Sequence, residues 1–572
     1  MRRAFAGHGA SRGSALGHAR VRLPHLFEVN EQHITEDHIA SELARLHAAI
    51  QDVRAGLRAA RERLHGALAH EVGEFLDLHA LLLDDPELLQ GLDDLIREGR
   101  YSADYALRLQ RDRLAAVFAT MDDAYFRSRS EDIDQVIGRV HAALHRGQAQ
   151  VGGVAGEILV TDTVAPAELV QLQSEGVLAV VTTGGSLLSH ASILARSLHL
   201  PLVVGAGDVL QHVNDGDVLA VDGAGGRVVL APDASDLRDY RARRRDEQRE
   251  RRQLHRLRRE PTRTLDGVDI RLYANAESRA DVAEAHALGA AGLGLYRTEY
   301  LFLQGDVAPD EEAQFRAYRD AVLGMTGRTV TIRTLDLGAD KADRAGLTLP
   351  REPNPALGCR GVRLSLARGD IFAIQMRALL RASGYGPLRI LVPMVASREE
   401  MLQVTALLKS TRDALRAEGH HVADEVPLGA MIEVPAAALA LPSLTDTVDF
   451  LSIGTNDLVQ YMLAADRNND ALEALQSPLH PAVMRILRDV IRIGRMRGLP
   501  VAVCGEMAGD PAFVPLLLAL GLEEFSLHPA TLLEVRQAIR GCDLGALRRR
   551  AGALLRARDR VGIERWMRQA TT

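Results

Sequence analysis

One histidine stands where the chain is well placed to receive an anion. The stretch reads Gly184-Gly185-Ser186-Leu187-Leu188-Ser189-His190-Ala191-Ser192-Ile193-Leu194-Ala195-Arg196. An apolar strand runs into small residues, and His190 then falls near the start of a helix. The first N–H groups of a helix lack intrahelical partners, and its dipole is positive at that end. A phosphate arriving there finds donors, and small side chains let it approach. A neutral imidazole nitrogen is a competent nucleophile near neutral pH. Read alone, the same residues also accommodate a capping or part-buried histidine.

A second set of polar residues follows short apolar runs farther along. Asn275 comes first, then Arg297-Thr298-Glu299 and Arg333-Thr334-Leu335-Asp336, with Asp340-Lys341 and Arg360 in the loop beyond. Glu433, Asn456-Asp457 and Cys504-Gly505-Glu506 continue the series. Arginines clamp phosphate and carboxylate groups through paired hydrogen bonds. Glu433 and Asp457 offer hard oxygen ligands, which suit Mg²⁺ held alongside substrate oxygens. Such a set can stabilise the charge that moves during phosphoryl transfer. Any one of these residues alone reads as a structural ion pair, but six at successive strand ends make coincidence a poor account.

The elements that must hold these residues can be read from periodicity. Residues 1–25 are Gly-rich and strand-like. From Thr35 to about His145, Leu43, Leu46, Ile50, Val53 and Leu57 recur at helical steps, and strand signals nearly vanish. Beyond Val151, the runs Glu157–Val160, Val177–Val181, Leu202–Val204 and Val218–Val221 predict strands of a compact mixed domain, which the first 25 residues complete. Asp236–Glu260 is dominated by Arg with interspersed acids and reads as a solvated helix ended by Pro261. Eight strands then alternate with helical patterns: Asp269–Ala274, Gly292–Tyr296, Val330–Arg333, Arg389–Pro393, Leu428–Ile432, Asp449–Ile453, Val501–Cys504 and Glu523–Leu527. Eight βα units predict a TIM barrel, whose active sites form at the carboxyl ends of the strands. The expected fold is α/β multidomain. Residues 1–32 and 146–235 form an α/β domain with a helical bundle inserted at 33–145, 236–261 form a linker helix, and 262–572 form a C-terminal (β/α)8 barrel.

Bulk properties narrow the function classes. At 572 residues the chain needs several cores. A net charge of −7 argues against nucleic acid as partner. Three cysteines are too few for a disulfide framework and fit a reducing cytoplasm. The basic Met1-Arg2-Arg3 is not followed by an apolar segment, so a signal peptide is not expected. The longest apolar run, around Phe513–Leu522, suits a buried helix rather than a membrane span.

Ser189-His190-Ala191-Ser192-Ile193-Leu194-Ala195-Arg196-Ser197-Leu198, followed by Leu200-Pro201-Leu202-Val203-Val204-Gly205, resembles the phosphohistidine signature of the PEP-utilising enzymes. Across the barrel, Gly294–Glu299, Asn354–Gly358, Ser452–Leu458, Asp466–Asp470 and Cys504–Glu506 resemble Enzyme I of the phosphoenolpyruvate-dependent phosphotransferase system. Residues 33–145 are similar to that family's four-helix insertion, most clearly at His79–Asp85. The resemblance implies a phosphohistidine domain carrying His190, and a phosphoenolpyruvate (PEP) site formed by Arg297, Arg333, Lys341, Asn456 and Arg467, with Arg360 nearby. It also implies Mg²⁺ on Glu433 and Asp457, and Cys504 as the acid that protonates enolpyruvate. The helical insertion would dock the small phosphocarrier HPr, and the barrel would form a homodimer. The expected activity is phosphoryl transfer from PEP to His190 and then to HPr, the first step of the phosphotransferase system. A dikinase or PEP synthase would need an ATP-binding domain, which no segment resembles. The chain departs from the family around the nucleophile. Where the family reads Gly-Gly-Arg-Thr before Ser-His, this chain has Gly185, Ser186, Leu187 and Leu188, and Ala165 stands where the family has Thr. That departure keeps open a catalytically weak regulatory homologue.

Overall fold

Short β-branched and aliphatic runs bounded by Gly and Asp build the first sheet. The computed structural model describes every residue except 1, 23–30, 64–75, 77–78, 120–132, 134–135, 142, 146–154, 165, 186–189, 199, 304–306, 339–346, 348, 350–351, 467–471, 473–474 and 571–572. The chain divides into two units, Met1–Glu250 and Arg251–Thr572.

In the first unit, strands β1 (Arg3–Ala6), β2 (His8–Ser11) and β3 (Ser14–Val21) come from the start of the chain. The others are β4 (Glu157–Thr161), β5 (Ala179–Thr182), β6 (Leu202–Val204), β7 (Val218–Asp222) and β8 (Arg227–Leu230). All eight share one sheet in the order β1-β8-β7-β3-β4-β5-β6-β2. β3 to β6 are parallel, and β5 is buried at all four residues. Parallel strands covered on both faces read as continuous apolar runs, which is why β4 to β6 stand out in the sequence. The sheet gains β8, which the sequence reading did not name, because Gly225 and Gly226 turn the chain back from β7 onto an antiparallel partner.

Between β3 and β4 the chain is helical: α1 (Ile39–Arg63), α2 (Pro86–Arg97), α3 (Ala103–Ala119), and helical residues 136–141. The spaced residues Leu43, Leu46, Ile50, Val53 and Leu57 are all buried, as the helical step requires. α4 (Pro166–Ser174) and α5 (His190–Ser197) belong to the sheet's βα units. The Arg-rich helix α6 (Ala234–Arg256) is exposed along most of its length, so its charges are solvated.

The second unit is a closed barrel of eight strands, all parallel. They are β9 (Arg271–Ala276), β10 (Gly292–Tyr296), β11 (Thr329–Arg333), β12 (Leu388–Val392), β13 (Leu428–Ile432), β14 (Phe450–Ile453), β15 (Val501–Val503) and β16 (Glu524–Leu527). Every one overlaps a predicted strand. β12 ends before Pro393, which has no N–H to give a neighbour. Leu295, Leu391, Met431 and Phe450, from four of the strands, form an apolar cluster with Cys504, the residue after β15. Helices such as Arg279–Ala287 and Arg398–Ala417 cover the outside, and each opens on a capping box, Ser278 with Asp281 and Ser397 with Glu400. A cap of this kind contributes about 1 kcal/mol. The longest apolar run becomes the fully buried helix Val514–Ala519. The last barrel helix, Leu532–Arg540, carries the buried Arg536, whose guanidinium donates to the carbonyls of Leu257 (2.7 Å), Leu288 (3.2 Å) and Gly289 (2.8 Å) and to Thr262 Oγ1 (3.0 Å).

Candidate active site

The carboxyl ends of β10 to β15 deliver the polar residues. Arg297 follows β10, Arg333 ends β11, Glu433 follows β13, Asp457 lies in the helix after β14, and Cys504 follows β15. Asp336 joins two largely buried cations of the site, Arg333 and Arg360. Its Oδ2 lies 3.0 Å from Arg333 Nη1, and both its oxygens take the Arg360 fork at 3.1 and 3.0 Å. Arg333 also meets Glu299 at 3.1 Å, and Arg360 also meets Asp457 at 3.4 Å and the Tyr461 hydroxyl at 3.3 Å. Nearby carboxylates hold both guanidiniums well above the usual arginine range despite burial. Arg333 Nε is buried and has no partner among the described residues, an orphan donor within the site.

Glu433 is almost wholly buried. Its Oε1 accepts the Met394 N–H at 2.6 Å. Burial pushes its pKa up, with Asp336 and Asp457 adding repulsion. A Cβ on Gly454 would sit 2.6 Å from Glu433 Oε2, so glycine is what leaves room for that carboxylate. Among the described residues, Glu299, Asp336, Glu433 and Asp457 face Arg333 and Arg360, four carboxylates to two guanidiniums. The cluster therefore has room for a divalent cation, and Glu433 and Asp457 offer the oxygen donors. Cys504 is buried, and its thiol donates to the Ile453 carbonyl at 3.5 Å. Burial pushes the thiol's pKa up and Glu433 raises it further, so sulfur keeps its proton at neutral pH.

A buried polar chain lies under Arg333. Thr298 Oγ1 donates to the Arg333 carbonyl at 3.0 Å, and Gln375 Nε2 reaches the Tyr318 hydroxyl at 3.1 Å. Gln375 Oε1 accepts the Leu335 N–H at 2.9 Å. These bonds fix the turn from which Arg333 and Asp336 project. Arg297 is paired with Glu277 at 2.6 Å, and the Asn456 amide exchanges two bonds with Glu506, at 3.1 and 3.0 Å. Arg333, Arg360, Glu433, Asp457 and Cys504 thus share one electrostatic neighbourhood. Lys341 and Arg467 lie outside the described residues.

In the first unit, His190 is the first residue of α5, which follows the parallel strand β5. Thr182 Oγ1 donates to the Gly184 carbonyl at 2.7 Å, and Gly185 takes φ +96°, a conformation that favours glycine. Ser11 Oγ donates to the Ala195 carbonyl at 3.0 Å and so holds α5 to β2. Ala165, Ser186, Leu187, Leu188 and Ser189 lie outside the described residues, as does the His190 imidazole.

In the sequence Asp336 stands at a strand end without an evident role, and no spacing singles out Glu277, Met394, Tyr461 or Gln375. The Arg-x-x-Asp spacing of Arg333 and Asp336 was visible, yet three residues bring side chains together predictably only within a helix.

Comparison with known proteins agrees along most of the chain. Residues 251–544 match the PEP-binding domain of the PEP-utilising enzymes, residues 6–129 their N-terminal domain, and residues 153–226 their mobile domain. A phosphoenolpyruvate-protein phosphotransferase of Cupriavidus necator is 43% identical over 550 residues, covering 94% of each chain. One of Staphylococcus aureus is 38% identical over 545 residues, covering 95% of each, and one of Geobacillus stearothermophilus is 39% identical over 537 residues, covering 93% of this chain and 92% of its own. Fold, site geometry and this extent of identity agree, and the chain belongs to the phosphoenolpyruvate-protein phosphotransferase family of PEP-utilising enzymes.

Proposed function

We propose that the chain transfers the phosphoryl group of PEP to its own His190 and then to a histidine of HPr, releasing pyruvate. The observation that carries this reading is the barrel's strand-end cluster, where two buried guanidiniums, two oxygen ligands and a neutral thiol lie together. In this reading residues 1–32 and 146–235 carry the nucleophile, 33–145 receive HPr, 236–261 connect, and 262–572 bind PEP.

Arg297, Arg333, Lys341, Asn456 and Arg467, with Arg360 beside them, hold the phosphate and carboxylate of PEP. Glu433 and Asp457 would hold Mg²⁺, which when bound would supply positive charge that offsets the charge moving during phosphoryl transfer. An imidazole nitrogen of His190 attacks phosphorus, the bridging P–O bond breaks, and its electron pair goes to the enolate. The enolate carbon takes the Cys504 proton to give pyruvate. The thiolate left behind is disfavoured by burial beside Glu433 and regains a proton from solvent. The same reading includes dimerisation through the barrel and residence in the cytoplasm. Among the described residues no helix is long and apolar enough to cross a membrane.

The test is incubation with labelled PEP and Mg²⁺. The protein should take up acid-labile, base-stable phosphate and pass it to HPr. His190→Ala should abolish uptake while PEP still binds. An acid-stable ester on Ser189 or Ser192 would refute the assignment.

A further inference from the structure

Three side chains of the helical segment converge on a point that phosphoryl transfer does not use. Asp104 lies in the first turn of α3, and His141 and His145 stand four residues apart. Four residues make about one helical turn, so both imidazoles leave the chain on the same side. Asp104 Oδ1 lies 2.8 Å from His145 Nε2 and 3.5 Å from His141 Nε2. The two rings are 4.7 Å apart between centroids, and one ligand atom from each residue falls within 4.8 Å of the others. Among the described residues, this is the group of three His, Cys or carboxylate side chains close enough to share an ion.

The surroundings orient the carboxylate. Arg45 of α1 holds Asp104 Oδ2 at 2.5 Å and Glu42 at 3.1 Å. The other oxygen of Glu42 accepts the Ala103 N–H at 2.8 Å, at the start of α3. Two carboxylates against one guanidinium leave a single net negative charge, and Asp104 Oδ1 turns it toward two nitrogen ligands. One carboxylate oxygen, Asp104 Oδ1, lies between both imidazoles.

We propose that Asp104, His141 and His145 form a zinc site with a fourth position open to water. Two imidazoles and one carboxylate are a donor set that Zn²⁺ accepts in tetrahedral geometry, whereas Mg²⁺ selects oxygen ligands. Arg45 acts from behind the ligand, as groups that orient metal-binding carboxylates do. The ion would clip α3 to the end of the helical segment across 41 residues of chain, so its binding energy stabilises that segment. This site is independent of the phosphoryl-transfer reading.

The full-length chain is titrated with Zn²⁺ in a large excess of Mg²⁺, which occupies all-oxygen sites. One equivalent should bind, and His145→Ala should weaken it by at least about tenfold. His141→Ala with His145→Ala should abolish stoichiometric binding. Asp104→Asn, which keeps the side-chain shape, should weaken it in the same direction. Co²⁺ in place of zinc should give the visible bands of a tetrahedral site without a thiolate charge-transfer band. Equal zinc affinity in the wild type and the His141, His145 double variant would overturn the proposal. So would the absence of a stoichiometric site, or a thiolate band that moves the metal to Cys359, Cys504 or Cys542.

Discussion

Asp336→Asn tests whether the site's two buried arginines depend on one carboxylate. The Asp336 side chain is only 2% exposed and neutralises Arg333 and Arg360 together. The amide keeps the shape, removes the charge and leaves too few acceptors for two guanidiniums. Arg333 would keep Glu299 at 3.1 Å, and Arg360 only Asp457 at 3.4 Å and Tyr461 at 3.3 Å. Removing one partner from a buried ion pair costs roughly 3–5 kcal/mol, and the surviving contacts put this case near the lower end, about 3 kcal/mol. For a unit of this size that lowers the barrel transition by roughly 4 °C, read by calorimetry on the metal-free full chain. Asp336 also raises the Glu433 pKa, so the loss should depend on pH. A carboxyl group whose native pKa is raised binds its proton more tightly in the folded state. Its contribution is fully present below the ordinary Glu range and is lost as pH rises through the raised value. The wild type suffers this loss more than the variant, so the variant's deficit should narrow from weakly acid to weakly alkaline pH. Adding Arg360→Met should recover much of the stability. A deficit below about 1 kcal/mol, or one that widens with pH, would refute the reasoning.

Cys504→Ala should leave PEP affinity nearly unchanged and slow turnover by about 10²–10⁴-fold, the usual contribution of a general acid; near-normal turnover would assign the proton to another donor. Gly454→Ala should push the Glu433 carboxylate aside and weaken Mg²⁺ activation, and an unchanged Mg²⁺ requirement in steady-state kinetics would remove Glu433 from the metal site. Leu187→Arg with Leu188→Thr, and separately Ala165→Thr, should speed phosphorylation of His190 in a rapid-quench assay. If both slow it or leave it unchanged, the apolar surroundings of His190 are a working alternative.

The barrel was legible because each strand is a short apolar run ending in a polar residue, as at Ile432-Glu433 and Val503-Cys504. The helical insertion was legible because Leu46, Ile50, Val53 and Leu57 keep one face of α1. What spacing could not supply was pairing within and between loops. Arg360 locks onto Asp336 across 24 residues of the same β11-to-β12 connection, and Glu433 takes its amide donor from Met394 beyond the neighbouring strand β12. The strand β8 was missed because Arg227–Leu230 is four residues long and follows two glycines, too little sequence to carry an alternation.

Arg536 has a consequence for the order in which the molecule is built. It sits on the last barrel helix and grips carbonyls at Leu257, Leu288 and Gly289, near the barrel's first strand. β16 closes on β9 in the same region, and Ser526 Oγ meets Asn275 Oδ1 across 251 residues of chain. On a ribosome, β9 can find β10 early, but its other edge waits unpaired until almost the whole barrel has been synthesised. Contacts so distant in sequence form slowly, and an open strand edge invites pairing with other chains meanwhile. A chain that stops short of Glu524 would lack both β16 and this clasp, and its open β9 edge would remain a template for aggregation.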